Sequence, residues 1–229
     1  MAGIMKNLNV NVSVILAAAG YGRRFGRPKQ FSLLKGKTIL DWSLEKFSRH
    51  ERISQIVLVL PKDFQDQNIK SKYPKIQAIA EGGETRQESV VSGFKRLALN
   101  PKDVVLIHDA ARPLFSRELV DRIISATTEN GACVPVIPVE ETVKEMEGNR
   151  ILRTVERTNL FLAQTPQGFL FHILQKTFIE AGDKNWMATD EAGLAELMQE
   201  KVIGVPGEKS NIKITNPVDL RLAEALIED

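Results

Sequence analysis

Residues 12–30 read VSVILAAAGYGRRFGRPKQ, and their types change abruptly along the stretch. Val12 to Leu16 is an apolar, β-branched run that reads as a buried strand. It gives way to Ala17, Ala18 and Ala19 and then to Gly20 and Gly22, side chains small enough for a ligand to reach the backbone. Such a loop offers N–H groups to an anion. Four cations follow within a few residues: Arg23, Arg24, Arg27 and Lys29. Small residues and then fixed positive charge, directly after a strand, suit a polyphosphate at the C-terminal edge of an open α/β sheet. The competing reading is a tight turn followed by a solvated basic loop. The spacing G-x-G-x-x-x-G puts too many residues before its third glycine for a dinucleotide fingerprint, and Pro28 prevents a helix from running through it. A nicotinamide fold is therefore disfavoured.

Other loops after strands carry related chemistry. Glu81-Gly82-Gly83-Glu84-Thr85-Arg86 sets two glycines beside a carboxylate, and Ser89 follows at the start of a helix. These groups suit the hydrogen-bonding edge of a nucleobase; the alternative is an ordinary turn and helix cap. Asp109 closes an apolar strand and is followed by AARP, where a carboxylate suits Mg²⁺ or a ligand hydroxyl, the alternative again being a cap. His50, His108 and His172 have no metal-ligand spacing among them. Thr142, Arg157, Thr165 and Lys213 complete the polar inventory. Lys213 lies within NIKIT, where strand alternation sets Ile212 and Ile214 on one face and Lys213 on the other. No Ser/His/Asp order or paired-carboxylate signature stands out, which argues against hydrolysis through a covalent intermediate. Positive charge in loops around a small-residue turn is the apparatus of phosphoryl or nucleotidyl transfer.

The elements that position these loops alternate strand and helix. Thr38 caps a helix from about Ile39 to Arg49; Ile53 to Leu60 is a strand closed by Pro61; Asp63 to Lys72 is a polar helix candidate; and Ile76 to Ala80 is a short strand. A helix from Arg86 to Leu99 and a strand from Val104 to Ile107 follow. This β-loop-α rhythm implies a mainly parallel sheet with helices on both faces. After a helix from Ser116 to Glu129 and a strand from Ala132 to Val139 the rhythm breaks. Thr142 to Met146 and Ile151 to Val155 form the arms of a hairpin that turns near Gly148. Its few apolar residues make no core of their own, and an isolated hairpin is marginal in water, so a second copy of the chain is expected to cover it. Helices from Phe169 to Ala181, Thr189 to Gln199 and Pro217 to Ile227 are expected, with strands at Val202 to Val205 and Asn211 to Thr215.

The 229 residues, 43% of them apolar, suffice for one sizeable α/β core. One domain over 1–229 with a protruding β-arm at about 140–157 is the economical reading. A net charge of +2 points to neither nucleic acid nor a membrane surface. The single cysteine, Cys133, excludes an internal disulfide and fits a reducing cytoplasm. The opening MAGIMKNLNVNVS lacks the apolar stretch of a secretory signal, and no apolar run reaches membrane length, so a cytoplasmic location is expected.

Taken in order, LAAAGYGRRF, RPKQF, GGETRQESV, HDAARP, ETVK, ERTNLFLAQTPQ, TDEA and NIKITNPVDL resemble the 2-C-methyl-D-erythritol 4-phosphate cytidylyltransferase family from about residue 12 to residue 221. The resemblance implies a Rossmann-like nucleotidyltransferase sheet whose β-arm clasps a second subunit. It implies transfer of CMP from CTP to the sugar-alcohol phosphate, with pyrophosphate as leaving group and Mg²⁺ as cofactor, carried mainly by the CTP phosphates with Asp109 as a candidate ligand. By motif, Arg24 and Lys29 would stabilise charge on the α-phosphate, and Arg157 and Lys213 would position methylerythritol phosphate. Ala18, Ala19, Gly20, Gly83, Glu84 and Ser89 would line the cytidine site, and Gly22 the phosphate turn. Asp109 would face the ribose or the sugar alcohol, with Thr142 and Thr165 nearby, and Thr142 and Arg157 would reach the partner's site in a homodimer. Two departures stand out: a short spacer between Arg24 and Lys29, and Glu84 where aspartate is common. The alternatives are a relative acting on ribitol 5-phosphate and a non-catalytic nucleotide-binding module.

Overall fold

A computed structural model describes residues 10–22, 25–26, 28–64 and 68–227. In chain order the elements are β1 (Val12–Ala17), a short 3-10 turn (Lys29–Phe31), β2 (Leu33–Leu34), β3 (Lys37–Thr38), α1 (Ile39–Arg49), β4 (Ile53–Leu60), α2 (Ile69–Lys72), β5 (Ile76–Glu81), α3 (Arg86–Phe94), β6 (Val104–Asp109) and α4 (Arg117–Asn130). There follow β7 (Ala132–Pro138), β8 (Val143–Glu147), β9 (Arg150–Val155), β10 (Phe161–Ala163), β11 (Gln167–Leu170), α5 (Phe171–Asp183), α6 (Glu191–Leu197), β12 (Ile203–Pro206) and α7 (Pro217–Leu226).

The main sheet runs in the order β10-β7-β11-β6-β1-β4-β5, and β12 pairs with β7. β1 lies in its interior, parallel to both β4 and β6, and β5 continues the parallel run beyond β4. β11 is antiparallel to both β6 and β7, which makes β6 and β7 parallel to each other. Strands covered on both faces read as near-continuous apolar runs, as β1 does from Val14 to Ala17 and β6 from Val104 to Ile107. Successive side chains along β1 feed two cores: Val14 and Leu16 join Leu44, Phe47 and Ile123 on the α1/α4 face, whereas Ile15 joins Val59, Val90 and Phe169 on the α3/α5 face. The expected mainly parallel sheet flanked by helices is what the chain forms.

Four local expectations are corrected. The Asp63 to Lys72 helix is seen only as Ile69–Lys72, with residues 65–67 outside the described set. α3 stops at Phe94, where Arg96 and Leu97 tighten into turns on the Gly93 and Phe94 carbonyls and fold Leu97 back into the core. Phe169 belongs to a strand rather than a helix, because β11 is captured between β6 and β7 before α5 begins. Asn211 to Thr215 forms no ladder: Ile212 N–H donates to Ser210 O and Ile214 N–H to Ala111 O, both at 2.8 Å. β2 and β3, a two-residue ribbon before α1, have no counterpart among the sequence-based expectations.

The arm forms as expected. β8 and β9 pair antiparallel as a two-stranded sheet separate from the main one, turning at Gly148, whose φ of 55° is left-handed and suits glycine. Its residues are exposed except for Val143 and Val155 at the base, which are half-buried.

Candidate active site

The C-terminal ends of β1, β5 and β6 open onto a cleft of about 320 Å³. From β1 come Ala17 to Tyr21, from the 3-10 turn Lys29 and Gln30, from the loop after β5 Gly83 to Arg86 with Ser89, and from β6 Asp109 to Ala111. Lys213 closes the wall from the segment before α7.

Each loop is tied to the sheet that produces it. Ala18 N–H donates to Val59 O at 2.9 Å, Ala110 N–H to Ala17 O at 3.0 Å and Gly82 N–H to Leu60 O at 2.8 Å. The Ala18 N–H is thereby committed to the sheet, although sequence alone suggests that the loop offers its N–H groups to an anion. Gln30, which carries no role in the sequence reading, has a buried side chain whose Nε2 donates to Ala18 O at 2.7 Å and Gly20 O at 3.0 Å. One amide thus sets the shape of the small-residue loop. Its only sequence signal is a polar residue next to Lys29, where a surface role is the default.

The loop after β5 approaches the first loop so closely that a Cβ on Gly82 would overlap the Ala19 methyl. Thr85 caps α3 through a reciprocal capping box with Glu88, and Glu88 Oε2 also accepts Glu84 N–H at 2.7 Å. Ser89 Oγ accepts Gly83 N–H at 3.1 Å and donates to Thr85 O at 2.8 Å. Gly83, Glu84 and Ser89 are therefore held in one rigid turn at the cleft wall.

Asp109, 7% exposed, is the centre of charge. Arg86 Nε donates to its Oδ1 at 2.8 Å and Lys213 Nζ to its Oδ2 at 2.5 Å. Burial alone would raise this carboxyl, but the two cations overcome that and hold it well below the usual carboxylate range. Behind it, Asp109 N–H donates to Thr165 Oγ1 at 3.1 Å, and Thr165 Oγ1 lies 3.0 Å from His108 Nδ1. His108 Nε2 lies 3.0 Å from Arg112 O, a carbonyl that only accepts, so the proton sits on Nε2 and the threonine hydroxyl donates to Nδ1. Burial pushes the His108 pKa down to about 3, which keeps the ring neutral.

Lys213 is delivered by a clamp. Asn211 Nδ2 donates to Thr165 O at 2.8 Å, Arg112 Nη1 donates to Asn211 O at 2.9 Å, and Ile214 is fully buried. The alternation inferred from NIKIT thus survives without the strand.

The cleft gathers Ala18, Ala19, Gly20, Lys29, Gly83, Glu84, Ser89, Asp109 and Lys213 from the sequence-level set. Gly22, with φ 63°, makes the turn that follows, accepting from Phe25 and Gly26 N–H. Thr165 is buried behind Asp109 and supports it rather than lining the cleft. Thr142 and Arg157 are exposed on and beside the arm and do not line this chain's cleft. Arg24 lies outside the described residues. Arg86 and Glu191 both fall within motifs quoted above, but sequence does not reveal them as a connected pair, because residues 105 apart show no pairing signal.

Both Asp109 oxygens already accept from cations, and no group of three or more His, Cys, Asp or Glu side chains suited to a metal exists among the described residues. The residues present do not fit a metal held by the protein.

Comparison with known proteins gives a consistent result. The family model described as IspD, 2-C-methyl-D-erythritol 4-phosphate cytidylyltransferase, matches residues 12–229. The enzyme of that name from Bacillus licheniformis is 36% identical over 225 residues, covering 96% of each chain. The crystal structure of the Thermus thermophilus enzyme superposes with a TM-score of 0.81 at 38% identity, over 95% of this chain and 98% of that one. The Francisella tularensis structure gives 0.84 at 34% identity, over 95% and 100%. With the family model, the curated relatives and the solved structures all matching along almost the whole length, this chain belongs to the 2-C-methyl-D-erythritol 4-phosphate cytidylyltransferase family.

Proposed function

We propose that the cleft transfers CMP from CTP to 2-C-methyl-D-erythritol 4-phosphate. A phosphate oxygen of the acceptor attacks the α-phosphorus, the bond from that phosphorus to the β-phosphate oxygen breaks, and pyrophosphate leaves. The products are 4-diphosphocytidyl-2-C-methyl-D-erythritol and pyrophosphate. The observation that carries this reading is the convergence of a small-residue loop, a glycine turn and an Asp109–Lys213 pair on one cleft at the ends of parallel strands.

The acceptor phosphate is already an anion at neutral pH, so it needs its repulsion from CTP cancelled more than it needs a base. Lys29, in the cleft wall, and Arg24 are the residues for that task. Lys213 uses one of its three ammonium donors on Asp109, and its others suit the acceptor phosphate. Asp109 keeps lone pairs beyond those taken by Arg86 and Lys213 for a substrate hydroxyl. Because these side chains do not build a metal site, magnesium belongs to this reading as part of the substrate, brought in on the triphosphate.

The reading extends to a cytoplasmic homodimer in which Thr142 and Arg157 enter the partner's cleft. Supporting it are the exposed apolar side chains of Met146, Ile151 and Leu152 on an arm that pairs only with itself in the sheet. No helix among the described residues is long and apolar enough to cross a membrane. Light scattering at micromolar concentration tests the assembly, and a monomer would overturn it.

The function is tested by pyrophosphate release from CTP with methylerythritol phosphate and ribitol 5-phosphate in parallel, with Lys29→Ala as control. Release with methylerythritol phosphate only, lost in the variant, is expected. Release only with ribitol phosphate would move the chain to the sister activity, and CTP binding without any release would make it a binding module.

A further inference from the structure

A buried row of alternating charges runs behind the cleft wall. Glu191, the first residue of α6, is 1% exposed. Arg86 Nη1 donates to both of its carboxylate oxygens at 2.9 Å, while Arg86 Nε donates to Asp109. With Lys213 on the far oxygen of Asp109, the series Glu191–Arg86–Asp109–Lys213 alternates in sign from core to cleft.

Glu191 is itself placed with care. Asp190 caps α6 by accepting Gly193 N–H at 2.9 Å, and its other oxygen accepts Gln167 Nε2 at 2.6 Å. Gln167 Oε1 in turn accepts Ala192 N–H at 3.2 Å. The residues on either side of Glu191 are thus anchored on β11. Burying a carboxylate is unfavourable unless its partner is held in good geometry, and apolar side chains in place of both Glu191 and Arg86 would fill the same space at no greater cost. Stability alone therefore does not account for a glutamate here.

What Glu191 does is aim Arg86. A guanidinium in the wall of a polyphosphate cleft would otherwise turn onto a phosphate, which its fork of donors fits well. Gripped by Glu191 it presents Nε to Asp109 and so fixes that carboxylate's plane.

We propose that Glu191 is a positioning residue for the reaction: acting through Arg86, it orients Asp109 so that the remaining lone pairs meet a substrate hydroxyl. It touches no substrate. The inference rests on the cytidylyltransferase reading above and adds to it a residue buried behind the cleft.

The test is steady-state pyrophosphate release by Glu191→Gln, Arg86→Lys and the double variant, with each substrate varied and melting temperatures measured alongside. Glu191→Gln is close to isosteric and is expected to keep the wild-type melting temperature. Its kcat/KM should fall on the order of ten- to a hundredfold, the worth of a charged hydrogen bond. Arg86→Lys, which cannot bridge both carboxylates, should lose a similar factor, and the double variant no more than Arg86→Lys alone. Losses that multiply in the double variant would overturn the proposal. So would a Glu191→Gln enzyme within about twofold of wild type, or a loss that tracks a fall in melting temperature. Should Glu191→Gln fail to fold, Arg86→Lys on the partly exposed side chain decides, and wild-type kinetics there would break the link. A silent wild type would instead sink the functional reading, whereas an active wild type with unaffected variants sinks this inference alone.

Discussion

The cleft and the arm are held together in opposite ways. In the cleft nearly every polar group that positions another is buried and paired: Gln30 under the first loop, Ser89 within the second, Thr165 and His108 behind Asp109. In the arm the polar pairs are on the surface, such as Arg153 with Glu145 and the Lys144–Thr154 hydrogen bond, where each contributes little. The cleft is a rigid consequence of the sheet. The arm has hydrogen bonds enough to be a hairpin but no core beneath it, so its order in this chain owes little to burial. The charge proposed for catalysis is accordingly carried by the cleft, while the arm's residues can act only where another surface meets them.

Replacing the charge in the cleft should have the largest effect. Lys29→Ala is expected to lower kcat by about 10²- to 10³-fold, roughly 3 to 4 kcal/mol of barrier. Arg157→Ala should be comparably inactive although it lies outside this chain's cleft. Mixing the two inactive proteins should then restore part of the activity, because one site of a mixed pair is intact. No recovery despite demonstrated subunit exchange would refute the shared site and detach the arm from catalysis.

The cleft's support should also respond to acid. The folded-state pKa of His108, about 3, lies below its unfolded value, so the unfolded chain binds the extra proton first. This contribution is complete above the unfolded value and is lost as pH falls toward 3, at about 1.4 kcal/mol per pH unit. Asp109, held low by Arg86 and Lys213, adds a loss of the same sign at more acidic pH. Glu191, pushed up by burial, acts oppositely: its contribution is lost as pH rises through its raised pKa. Denaturant unfolding between acidic and neutral pH should show stability falling with acid, with a shallower slope in His108→Asn. An unchanged slope would mean that the histidine is not buried neutral.

A smaller loss is expected at Gln30→Ala, which strips a donor from the Ala18 and Gly20 carbonyls. Stability should drop by about 1 to 3 kcal/mol in urea, and kcat/KM should fall with it as the first loop loosens. Full activity would show that the loop keeps its shape without the amide. Smallest of all should be Ile151→Thr on the arm. Its effect on the unfolding of the single chain should stay within about 0.5 kcal/mol, while light scattering reports a loss of association. Strong destabilisation of the monomer would mean the arm is packed within its own chain after all.

Much of the site is legible locally. Small residues after β1, the glycines after β5 and the aspartate closing β6 lie at strand ends, where an α/β sheet collects its ligand contacts, and each is visible within its own few residues. The hairpin is legible for the same reason, since its turn and alternation are local. What escapes a local reading depends on distant partners. β11 looks like the start of a helix because nothing nearby announces that β6 and β7 will capture it. NIKIT looks like a strand because burial of Ile214 produces the same alternation as a ladder. Gln30 looks like surface because its two carbonyl partners are displayed only when the first loop turns back over it.

By itself, then, the amino-acid sequence determined the strand–helix alternation of the first half, the apolar strands of the central sheet and the residue types placed at their ends, all properties of short-range period and composition. Only the tertiary structure decided that Arg86 would join Asp109 to Glu191, that Thr165 would stand behind the site, and that Arg157 would stay outside this chain's cleft. Those outcomes depend on which strand ends are brought side by side. A buried charge gains its partner from packing, over separations that no local pattern records.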